Sequence, residues 1–145
     1  MSARSVAREF FACLQSGDAG KVSGLLAPGA TVALVPLGVT GTMADEGAAY
    51  LQALAEAFPD LMVRIRRLFV TADNAAVAEV TLDGTQAADF LGAVNQEKHF
   101  DLDQAWILQI DDQDRITAVT GYWCQNQAYR RLGVKRLDKV SITAR

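Results

Sequence analysis

Two stretches in the second half of the sequence carry side chains that could hold or polarise a small organic molecule. In "HFDLDQAWILQI" (residues 99–110), the amide of Gln104 and the indole of Trp106 fall two residues apart. They share a face otherwise made of Phe100, Leu102, Leu108 and Ile110. An amide on an apolar face needs a partner, either internal or a ligand carbonyl. An indole offers a large flat surface and a single N–H donor, which suits stacking on a flat polycyclic ligand. In "TAVTGYWCQNQAYRRLGV" (residues 117–134), Gly121 and Trp123 share one parity and Tyr122 has the other, so Trp123 is the aromatic placed on the side of Gly121. Tyr50, on an upstream helix, could donate a phenolic hydrogen bond towards the same space.

Residues 117–134 contain no Asp, Glu or His, the usual proton-transfer groups. Cys124 has no neighbouring base to lower its thiol pKa and reads as a structural thiol, as does Cys13 in the apolar "FFACL". His99 and Asp101 form a possible His–carboxylate pair, but the alternation puts both on the outer strand face, as surface or interface residues. A bulge before Phe100 would reverse that placement. One His and no metal-type spacing leave no metal site to propose.

The elements that position these residues follow from periodicity. Val6, Phe10, Cys13 and Leu14 lie on one helical face of residues 3–15. "SGD" stops that helix, and Asp18 can cap the next, "AGKVSGLL". "APGA" reads as a turn, "TVALVP" as a short strand, and "LGVTGTMADEGAAYLQALAEAF" as a glycine-rich loop followed by a helix. That helix has Tyr50, Leu51, Leu54 and Phe58 on its inner stripe. "LMVRIRRLFV" and "DNAAVAEVTLDG" alternate and form a hairpin through "TADN", which could set Glu79 against Arg64 or Arg66. Two further strands end in a short helix, "NQAYRRLGV", and the polar residues 135–145 read as a tail. Three helices followed by a strand meander describe an α+β domain with helices gathered on one face of a curved antiparallel sheet.

At 145 residues, half of them hydrophobic, the chain fits one globular domain, assigned to residues 1–134. The net charge of −3 gives no electrostatic grip on nucleic acid or an anionic membrane. No signal-type apolar block opens the sequence and no stretch is long enough to span a bilayer, so a cytoplasmic protein is expected.

The order of these elements, with "AFPDL", "AVAEVTLDGTQAADFLG" and the run from "DRITAVTGYW" to "AYRRLGV", resembles the SnoaL-like polyketide cyclases. Their cone-shaped α+β fold is shared with ketosteroid isomerase and nuclear transport factor 2. The resemblance covers roughly residues 4 to 134. It implies a cone-shaped curved antiparallel sheet, three N-terminal-half helices on its concave face and a short C-terminal helix. It also implies a deep apolar cavity, a homodimer, and acid/base chemistry of secondary metabolism with neither metal nor organic cofactor. Cyclases of this type use an Asp on the last long strand and a His on the neighbouring one. Those functions fall at Gly121 and Trp106, and a second acidic position falls at Cys124. None matches, so no catalytic role is carried over.

The expected ligand-contacting set is therefore Gln104, Trp106, Gly121, Trp123 and Tyr50, with the catalytic group left open. The preferred expectation is a cyclase- or isomerase-type enzyme acting on a polyketide- or terpenoid-like molecule. The alternative is a non-catalytic module of the same fold that binds an apolar ligand or a protein. On this reading, Trp106→Ala and Gln104→Ala change ligand binding more than stability.

Overall fold

The computed structural model of the chain describes residues 2–134, so the reading of residues 135–145 as a tail lies outside the described residues. Helix α1, Ala3–Ser16, begins where the Ser2 and Ser5 hydroxyls accept hydrogen bonds from each other's backbone N–H. It ends at Gly17, whose φ of 72° is the left-handed conformation that closes a helix most cheaply with glycine. Asp18 caps α2, Ala19–Ser23, by accepting from Lys21 N–H. Helix α3, Ala48–Ala57, follows a π-helical turn, Met43–Gly47, and α4 spans Gln125–Arg131.

Six strands form the sheet: β1 Leu26–Leu34, β2 Val39–Thr42, β3 Met62–Val70, β4 Ala75–Thr85, β5 His99–Ile110 and β6 Ile116–Trp123. Their spatial order is β2-β1-β6-β5-β4-β3, giving a curved sheet whose outer strands β2 and β3 do not meet. Every pairing is antiparallel except that of the first strand with the last, since β1 runs parallel to β6. "APGA" is not a free turn: it lies within β1, where the pairing shifts between Leu26 and Thr31. Strand β2 arises inside the stretch read as a glycine-rich loop, and four residues, one of them glycine, are too few to show alternation.

One face of the sheet buries Val80, Leu82, Phe100, Leu102, Trp106, Leu108 and Val119 against apolar residues of α1 and α3, such as Phe10 and Leu54. The other face mixes charged side chains with exposed Phe69, Ile107 and Tyr122. A bulge between Ile65 and Arg67 sets Arg67, not Arg64 or Arg66, opposite Glu79, and these two side chains pair at 3.3 Å. The shift leaves Arg64 with Asp83 and Arg66 with Asp103. Such solvent-exposed pairs contribute about 0.2–1 kcal/mol each. His99 and Asp101 are exposed on this face, but they do not pair with each other. His99 Nε2 meets Asp83 at 2.7 Å and its Nδ1 meets the Thr85 hydroxyl at 2.9 Å, while Asp101 takes Arg131. Both thiols are free; Cys13 is buried, whereas Cys124 is exposed just before α4 and so is no core thiol. Among the described residues no helix is long and apolar enough to cross a membrane.

Candidate functional site

Alternation along β5 and β6 turns Gln104, Trp106, Gly121 and Trp123 to the helix-covered side, and pairing sets Trp106 directly opposite Gly121. The indole fills the room that a side chain at 121 would need. A Cβ there would lie 2.7 Å from two carbons of the Trp106 ring, closer than real Cβ contacts come. Bulk on one strand is thus matched by a missing side chain on the next.

The polar end of the indole is committed as well. Trp106 Nε1 donates to Gln104 Oε1 at 2.9 Å, and because an indole can only donate, this bond fixes which way the amide faces. Gln104 is 4% exposed, and its Nε2 has no hydrogen-bond partner among the described residues. A buried amide donor left unpaired costs roughly 1–3 kcal/mol.

Tyr50 brings the helix side of the cluster. Its ring stacks on Trp123 with centroids 5.7 Å apart and lies 6.4 Å from Trp106, while Trp123 Nε1 is held by Gln125 Oε1 at 2.6 Å. Burial pushes the Tyr50 hydroxyl from the ordinary 10.0 up to about 12, and the Gln104 amide pulls in the opposite direction. The two groups interact without meeting hydrogen-bond geometry, so the amide biases the phenol yet stays unsatisfied.

A raised phenol pKa has a consequence for stability. Below pH 10 the phenol is neutral folded or unfolded; above it the unfolded chain gives up the proton first, which favours unfolding. Between about pH 10 and 12 the protein should therefore lose stability through Tyr50. Denaturant midpoints measured across that range should fall less steeply in Tyr50→Phe; parallel slopes for the two proteins would show the phenol is not shielded.

The space around the cluster is divided unevenly. Between Tyr50, Trp106, Phe10 and Met43 only about 10 Å³ remains empty, at the lower limit for one water. The deep hollow expected inside the sheet is occupied by the protein's own aromatic rings. Open space lies on the outer side of Tyr50, in a groove of about 560 Å³ between the β1–β2 connection, α3 and Leu91, a size usual for small-molecule sites. Leu34, Leu37, Val39, Ala53 and Leu91 give it apolar walls, and Thr40, Glu46 and Tyr50 supply side-chain polarity. All five residues expected from the sequence stand in one cluster, but of these only Tyr50 reaches the groove.

Glu46 was missed because its segment read as a loop. The available signal was its position four residues before Tyr50, the spacing that puts two side chains on one helical face.

A family profile described as "SnoaL-like domain" matches residues 7–119. No curated protein matches the sequence significantly. Solved structures do. IdmH of Streptomyces antibioticus, a candidate polyketide cyclase, is 18% identical with a TM-score of 0.78, over 92% of this chain and 100% of that one. AclR of Streptomyces galilaeus, a candidate hydroxylase, is 16% identical with a TM-score of 0.78, over 90% of this chain and 80% of that one. A Catenulispora acidiphila protein with a ketosteroid isomerase-like fold is 16% identical with a TM-score of 0.76, over 94% and 97%. At such identities the likeness speaks for the fold alone.

Proposed function

The chain belongs to the SnoaL-like domain family, and from that premise we propose a cyclase- or isomerase-type enzyme that binds an apolar, carbonyl-bearing molecule of polyketide or terpenoid type in the groove beside Tyr50. The observation that carries this reading is a buried phenol bordering an otherwise mostly apolar groove. With its pKa near 12, Tyr50 stays a neutral donor at physiological pH. A neutral donor aimed at a carbonyl oxygen stabilises the negative charge that grows there on enolisation, and low-polarity walls strengthen the effect. Gln104, Trp106, Gly121 and Trp123 form the layer behind Tyr50: the indole–amide bond directs the amide, and the Trp123 ring supports the phenol. The apolar walls fold the ligand into a reactive shape, and such positioning can contribute several kcal/mol.

Titration with a flat aromatic ketone, 2-tetralone, should quench tryptophan fluorescence through Trp123 and Trp106, and Tyr50→Phe should weaken binding about 3–10-fold, the worth of one hydrogen bond. Absence of any quenching or calorimetric signal in the unmodified protein would remove this reading.

A second reading, a non-catalytic ligand-binding module, is favoured by one observation: Trp106 and Gly121 stand where the resemblance puts an acid/base pair. It predicts a ketone that binds and is recovered unchanged. We also propose a homodimer through the outer sheet face, where Phe69, Ile107 and Tyr122 are exposed. Ile107→Arg should then convert a dimer into a monomer in sedimentation velocity; a monomeric starting protein refutes it.

A further inference from the structure

We propose that Glu46 is the acid/base group of the groove, so that the carboxylate missing from β5 and β6 is supplied from the turn that leads into α3. The inference rests on the reading that this groove takes a carbonyl ligand. Of the polar side chains lining it among the described residues, Thr40 and Tyr50 are neutral hydroxyls, and Glu46 is the one carboxylate. Removing a proton from the carbon beside a carbonyl needs a base and a donor for the resulting oxyanion, and Glu46 and Tyr50 are one of each. They lie four residues apart along the π-turn and the start of α3, and both border the same groove.

The carboxylate is seated in a specific way. Oε1 accepts from Thr42 N–H at 2.9 Å, and the carboxylate occupies the side-chain space that Gly41 leaves empty. A Cβ at Gly41 would lie 1.9 Å from Oε1 and 2.2 Å from Cδ. One oxygen is thus anchored, while Oε2 makes no hydrogen bond or ion pair among the described residues. The π-turn that presents it, Met43–Gly47, is a form found mostly as single turns and frequently at functional sites.

The step balances as follows. The proton on the carbon next to the carbonyl moves to Oε2 of Glu46, and the C–H electron pair becomes the C=C bond of an enolate. The carbonyl π pair moves to oxygen, which accepts the hydrogen bond from Tyr50. The enolate carbon then either takes the proton back from Glu46 or attacks a second carbonyl of the same chain. In the latter case a C–C bond forms and Glu46 protonates the new alkoxide.

Glu46 also has a purely structural use. With Thr42, whose hydroxyl accepts from Asp45 N–H at 3.2 Å, it closes a reciprocal cap on the turn. Glutamine fills that cap as glutamate does, so Glu46→Gln removes the base and keeps the acceptor. The experiment follows hydrogen–deuterium exchange of the α-protons of 2-tetralone in D2O by NMR, alongside binding and melting temperature.

Glu46→Gln should bind the ketone within about 3-fold of the unmodified protein, melt at a similar temperature, and exchange at least about 100-fold more slowly, the lower end of general-base effects. Glu46→Asp, which keeps a carboxylate one methylene shorter, should exchange at least about tenfold faster than Glu46→Gln, and it serves if the Gln variant folds poorly. Exchange that survives Glu46→Gln, or an Asp variant no faster than Gln, overturns the proposal alone. An unmodified protein that binds 2-tetralone without accelerating its exchange overturns both the proposal and the enzyme reading.

Discussion

Trp106→Ala is expected to lower the free energy of unfolding by about 3–5 kcal/mol, read as a fall in both denaturant midpoint and melting temperature. The indole is 2% exposed, packs at 6.1–6.4 Å between ring centroids against Phe10, Tyr50 and Trp123, and fills the gap over Gly121. Truncation removes all of that contact and opens a cavity that the opposing glycine cannot refill. It also strips Gln104 Oε1 of its donor, beside an Nε2 that is already unpaired. The new hole should be apolar enough to accept a ring, so added indole should raise the melting temperature of the variant and leave that of the unmodified protein in place. A loss under about 1 kcal/mol, or no response to indole, would mean the ring is not filling the space over Gly121.

That expectation reverses the order read from the sequence, in which Trp106 affected binding more than stability. Alternation along "HFDLDQAWILQI" says correctly which face Trp106 occupies, because a period of two survives in any strand with one covered face. It says nothing about how full that face is. Fullness depends on the residue opposite, and Gly121 supplies the relevant volume from the next strand, where the alternation within β5 cannot register it. The long elements were legible for the same reason: α1, α3, β4, β5 and β6 each repeat their pattern over enough residues to be unambiguous. Features fixed by one or two residues were not. The extra residue at Arg66 that moves Glu79 to Arg67 lies within "RIRR", where charge hides the slip, and β2 is held by pairing to β1 rather than by its own composition. Glu46 stands in the turn beside that strand, so a missed strand concealed the carboxylate too.

Gly121→Asp, which restores a carboxylate to the last long strand, should cost at least as much as the loss of Trp106, on the order of 3–5 kcal/mol. The first methylene of any side chain at 121 already meets the Trp106 ring at 2.7 Å, and overpacking of that kind costs about 1–3 kcal/mol. The carboxylate then enters a buried site whose nearest strand neighbour is a committed indole, and an unpaired buried charge adds to the cost. Replacing the indole changes both terms together. In Trp106→His/Gly121→Asp the smaller imidazole vacates the space and can donate to the new carboxylate. The double variant should therefore be more stable than the sum of the two single losses predicts, by about 1–3 kcal/mol. Denaturant unfolding of all four proteins gives that coupling directly. Strict additivity would mean that Trp106 and Gly121 do not compensate one another, and that the space at Gly121 is set by something other than the ring above it.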